Sequence, residues 1–122
     1  MSFIPAVRRE IQQRNANDPV RITLEYLINN GIGQNNPVPL SVIVGHLQSM
    51  GISMNETLFQ QTILKDSRGS DYFIGSGNRG YFLIETIGDA QKMRDFYQNR
   101  IAAEENNLDN LRRLSVAVGW SI

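Results

Sequence analysis

LSVIVGHLQSMGISMNETLFQQTILKDSRGSDYFIGSGNRGYFLIET, residues 40–86, is the stretch on which the fold turns. Leu40, Ile43, Leu47 and Met50 recur at intervals of three, four and three, the spacing of one face of a helix. Gly51 stops that helix, and Ile52-Ser53 leads into another over about residues 54–66. On a helical wheel Leu58, Phe59, Thr62 and Ile63 gather on one side, while Thr57, Gln60, Gln61 and Leu64 fall on the other. That outer face is polar without being charged. Ser67-Arg68-Gly69-Ser70-Asp71 has the composition of a turn. Tyr72-Phe73-Ile74 and Tyr81-Phe82-Leu83-Ile84 then flank a glycine-rich segment, a hairpin pattern in which the glycines supply positive-φ positions at the tip.

Working outward, Ile4, Val7 and Ile11 behind Pro5 predict a short amphipathic helix over residues 5–14, with Arg8 and Arg9 beside its apolar stripe. Asn15 to Asp18 reads as a break. Asp18 is placed to cap a helix from Pro19 to Asn30, whose Val20, Leu24, Leu27 and Ile28 share a face and which Gly31 ends. On the C-terminal side, residues 88–118 contain no proline, and Met93, Tyr97, Ile101, Leu108 and Leu111 mark one long helix with an apolar seam. Glu104 interrupts the register. Such a seam fits either a helix folded back on its own domain or a two-chain coiled coil, in which a polar intruder fixes register. The expected organisation is a domain over residues 1–87 and a C-terminal helix over 88–122 that serves as a dimerisation element.

The chain has 122 residues, 41% of them hydrophobic, with five Phe, four Tyr and one Trp. That suffices for the core of one domain and argues against a disordered or fibrous chain. Twelve Lys and Arg balance twelve Asp and Glu, so any anionic partner must be met by a local patch. Cysteine is absent and His46 is the single histidine, which removes thiol catalysis and leaves almost no vocabulary for zinc or haem. No cofactor and no metal site is expected. No apolar run approaches the ~18–20 residues of a membrane span, and no signal segment follows Met1, so the expected compartment is the cytoplasm.

Three motifs carry less than they promise. Gly75-Ser76-Gly77-Asn78-Arg79-Gly80 matches G-x-G-x-x-G, yet a strand rather than a helix follows it, and no helix N-terminus faces a pyrophosphate. His46 lies between Ile43 and Leu47 without a nucleophile signature. Glu104, Glu105 and Asp109 precede Arg112 and Arg113 within a turn, the pattern of a solvated helix face. The chain is therefore not expected to be an enzyme.

What remains is a geometry: helix, helix, tight turn, helix and glycine-tipped hairpin. This is the order of a winged helix-turn-helix, in which the helix after the turn enters the major groove and the hairpin lies over the backbone. The fold class is mainly α with a small β-hairpin. Gln60 and Gln61 offer paired amides to base edges, Thr57 a hydroxyl and methyl, and Leu64 a contact for a thymine methyl. Lys65 and Arg68, with Asn78 and Arg79 at the hairpin tip, suit phosphate or minor-groove contact.

Residues 20–85 resemble winged helix-turn-helix DNA-binding proteins of bacteria and their phages. The resemblance rests on Gly51-Ile52-Ser53 before the recognition helix and on Gly80-Tyr81-Phe82-Leu83-Ile84-Glu85-Thr86 after the wing. It implies sequence-specific binding of double-stranded DNA by a small transcriptional or replication-associated regulator. From Thr57 to Leu83 the net charge is one positive, and from Met1 to Leu24 two positive. A homodimer through the C-terminal helix would double the phosphate contacts. The alternative is a winged-helix module that binds protein and has no DNA binding of its own.

Overall fold

The computed structural model describes residues 2–100 and 104–122. Helices α1 (Ile4–Gln13), α2 (Pro19–Asn30) and α3 (Leu40–Ser49) come first. A continuous helical rod follows, made of α4 (Glu56–Phe59), a π-helical turn (Gln60–Leu64) and α5 (Lys65–Arg68). The antiparallel hairpin β1 (Ile74–Gly77) and β2 (Gly80–Leu83) leads to α6 (Ile87–Gln98) and α7 (Glu105–Ala117).

Local chemistry sets the boundaries. Asp18 caps α2 as expected, its carboxylate accepting from the Val20 amide at 2.8 Å. Asn55 caps α4 by accepting from the Leu58 amide at 2.8 Å, so this helix begins at Glu56 rather than at residue 54. Gly51, after α3, has φ +82, a left-handed value that turns the chain sharply between the two helices. Met50, expected on the core face of α3, is 56% exposed, because the helix ends before it.

The hairpin is shifted from its expected place. Its turn is only Asn78-Arg79, and Gly75 and Gly77 belong to β1. Among the hairpin's glycines positive φ is confined to Gly80, at +140. A Cβ there would collide with the Val38 carbonyl, and at Gly75 it would strike the Phe82 ring 2.8 Å away. Close approach, more than turn conformation, explains these glycines.

Strand alternation makes the hairpin a partition between two apolar clusters. Ile74, Tyr81 and Leu83 face α1 to α4 and the π turn, packing with Leu24, Leu27, Ile43, Leu47, Phe59 and Ile63. Phe73, Phe82 and Ile84 face the opposite way, onto Phe3, Ala90, Met93, Tyr97, Leu111 and Leu114. Beyond β2 the α2–α3 connection adds backbone pairing. Gly33 donates to the Leu83 carbonyl at 2.8 Å and Leu83 to Gly31 at 2.7 Å, while Val38 and Tyr81 exchange bonds of 2.8 and 2.9 Å.

The C-terminal segment corrects the expectation of one long helix. Asn99 and Arg100 are non-helical, and two helices, α6 and α7, pack against each other. Arg94 Nη1 donates to the backbone carbonyl of Ile122 at 2.7 Å, tying the chain end back to α6. Met93 and Leu111 are fully buried and Tyr97 nearly so, in the second cluster, with Leu108 packed at its edge. These seam residues, offered above for dimerisation, are consumed within their own chain, because the hairpin's second face needs an apolar cover. Ile101 lies outside the described residues. Asp89 fixes the start of α6: it is buried, forms a capping box with Thr86, and accepts from the amides of Gln34, Glu85 and Thr86 at 3.0–3.1 Å.

Candidate nucleic-acid interface

The rod from Glu56 to Arg68 buries Phe59, Ile63 and Ser67, a row spaced by four. In a pure α-helix each step along that row would swing about 40° around the axis. The π turn advances less per residue and offsets the swing, which keeps the row against the core. The outward face therefore differs from the helical wheel. Leu58, at 39% exposure, and Thr62 point to solvent instead of inward, and Leu64 is half-buried against the first cluster. Thr57, Gln60, Gln61 and Lys65 are exposed as expected.

Arg68 is placed differently from expectation. Its Nε donates to the Ile74 carbonyl at 2.9 Å and its Nη2 to Ser76 Oγ at 3.0 Å. The guanidinium carbon lies 5.6 Å from the ring centroids of both Phe73 and Tyr97. Burial pulls this guanidinium below its ordinary pKa. Arg68 thus clamps the helical rod to β1, with two of its five N–H donors committed there.

At the hairpin tip Asn78 and Arg79 are both exposed. Gln60 Nε2 donates to Tyr81 Oη at a long 3.4 Å, so the polar face of the rod and the hairpin meet. The result is an exposed strip of Thr57, Gln60, Gln61 and Lys65 beside a hairpin ending in Asn78-Arg79. Leu64 and Arg68 drop out, and Leu58 and Thr62 join. The rod as a whole is neutral, Glu56 and Asp66 balancing Lys65 and Arg68.

Sequence reasoning also missed Lys92. It stands on α6 with its Nζ 5.8 Å from the Phe82 ring centroid, and a Cβ on Gly77 would lie 3.3 Å from that ammonium. Its position was implicit in the seam, since Lys92 and Phe96 each precede a buried residue, Met93 and Tyr97. The other motifs take structural places. The G-x-G-x-x-G run forms a hairpin, and His46 packs its ring 4.4 Å from that of Tyr26. Among the described residues no three His, Asp or Glu side chains group to hold a metal, and no helix is long and apolar enough to cross a membrane.

No protein-family model matches this chain, and no curated protein and no solved structure matches it.

Proposed function

We propose that the protein binds double-stranded DNA as a winged helix-turn-helix, with the rod from Glu56 to Arg68 in the major groove and Asn78-Arg79 on the backbone. One observation carries the reading. The hairpin is paired through β2 to the α2–α3 connection and touched by Gln60 of the rod, so helix, turn, helix and wing form one connected unit. Gln60, Gln61 and Thr57 supply the base-reading groups, and Lys65 and Arg79 the phosphate contacts. The reading covers a small regulator of transcription or replication, of bacterial or phage type. Two chains on a two-fold site would double the contacts, using a surface other than the buried Met93, Tyr97 and Leu111.

The test is a fluorescence anisotropy titration with duplex fragments of the genome that encodes the protein. Binding at low salt should weaken by about 0.9 log unit in affinity, per log unit of salt, for each phosphate neutralised. Gln60→Ala with Gln61→Ala should flatten discrimination among fragments, and Arg79→Ala should weaken all of them and reduce the salt slope by about one. Absence of binding to any duplex at low salt would remove the reading. The neutral rod and its exposed Leu58 favour a second reading, in which the same face docks a protein.

A further inference from the structure

Behind the hairpin, on the face opposite Tyr81, lies a cleft of about 460 Å³. Its walls come from three separate parts of the chain. Gln34, Asn35 and Pro37 of the α2–α3 connection form one, the hairpin from Ser76 to Arg79 with Phe82 another, and Lys92 and Phe96 of α6 the third. The volume falls in the range of small-molecule sites, roughly 300–1,000 Å³.

The composition of those walls is selective. Lys92 and Arg79 bring two cations, and neither has an ion-pair partner among the described residues. No carboxylate lines the cleft, whereas three other surface clefts carry Glu56, Asp71 or Glu25 in their walls. Gln34, Asn35 and Asn78 add three neutral amides, each able to donate and accept. Phe96, 37% exposed, gives the cleft an aromatic wall beside Lys92. Gly77 leaves room for the Lys92 ammonium above the strand.

We propose that this cleft binds a nucleoside monophosphate. A phosphate monoester carries close to two negative charges at neutral pH, which matches two unpaired cations better than a monoanion does. The amides meet the polar edge of a base, and Phe96 offers an apolar surface to its ring. The site lies apart from the rod but shares Asn78 and Arg79 with the hairpin tip used in the DNA reading. It stands or falls without that reading, because the measurement contains no DNA.

The experiment is a titration of the isotope-labelled, DNA-free protein with AMP, followed by amide chemical shifts, with adenosine and inorganic phosphate as separate probes. AMP should shift the amides of Gln34, Asn35, Gly77, Lys92 and Phe96. Adenosine and inorganic phosphate should each bind about tenfold more weakly or worse, since each lacks half of the contacts. Lys92→Ala, an exposed substitution that spares the core, should lower AMP affinity about tenfold or more, as expected for one charge-assisted contact. Lowering the pH below the second phosphate ionisation, near 6, should weaken binding in the same direction. The proposal is overturned if about 10 mM AMP shifts none of these amides, if adenosine binds as well as AMP, or if Lys92→Ala leaves the affinity unchanged.

Discussion

At the scale of single residues, Gly80 and Tyr97 stand under opposite constraints. Gly80 is held at φ +140 with the Val38 carbonyl where a Cβ would go, so it combines a left-handed backbone with zero free volume. Gly80→Ala should cost about 3 kcal/mol or more, read as a fall in the urea midpoint, because conformational strain and collision act together. Tyr97 shows what burial does to ionisation. Its hydroxyl is buried with no hydrogen-bond partner among the described residues, and desolvation pushes the phenol from about 10 up to about 12, against the pull of the nearby Arg68. Below pH 10 both folded and unfolded phenols keep their protons, and Tyr97 adds no pH dependence. Between about 10 and 12 the unfolded phenol releases its proton first, so the unfolded state is favoured as pH rises. Stability should fall by about 2–3 kcal/mol across that window. Urea unfolding in alkaline buffers measures the fall, and absorbance of the phenolate should show late-ionising tyrosine, Tyr97 together with Tyr72, whose pKa burial also raises.

At the scale of elements, capping explains both what the sequence revealed and what it hid. Asp18 and Pro19 announce α2 because an N-cap works through residues two or three apart. Asp89 does the same for α6 through Thr86, but its bond to the Gln34 amide spans 55 positions and no local pattern contains it. Asp89→Ala would strip three amides of their acceptor and should destabilise by about 3 kcal/mol, against about 1 kcal/mol for Asn55→Ala, which loses a single exposed cap. Differential unfolding of the two variants tests that order. The π turn was equally invisible, since Gln60 to Leu64 has ordinary helical composition. Its effect is to hold Ile63 and Ser67 in line with Phe59 and to bring Leu64 half inward. Exposure of the candidate residues was legible where it follows from local spacing, as at Gln60, Gln61 and Arg79. It was illegible for Arg68, whose partners Ile74 and Ser76 become neighbours only when the hairpin folds back.

At the scale of the whole molecule, the periodicity of the C-terminal segment was read correctly as apolar and incorrectly as one helix. Spacing specifies which residues share a face; it does not say whether that face meets another chain or its own. The second face of the hairpin, with Phe73, Phe82 and Ile84, demanded a cover, and α6 and α7 supply it. Leu111→Ala should therefore cost about 2–5 kcal/mol as a cavity, with the mass in solution unchanged by sedimentation. A fall in mass accompanying the substitution would instead place Leu111 between chains.

The same arrangement settles how this small sheet avoids growing. A strand with unpaired backbone groups along its margin is a template for strands of other molecules. Here the margin beyond β2 is taken by the α2–α3 connection. Along β1, the Ile74 amide donates to Ser67 Oγ, its carbonyl accepts from Arg68, and the Ser76 amide meets Met93 Sδ. Side chains thus stand where a neighbouring strand would have to bond. Arg68, together with Ser67 and Met93, blocks the β1 edge against runaway β-pairing between molecules.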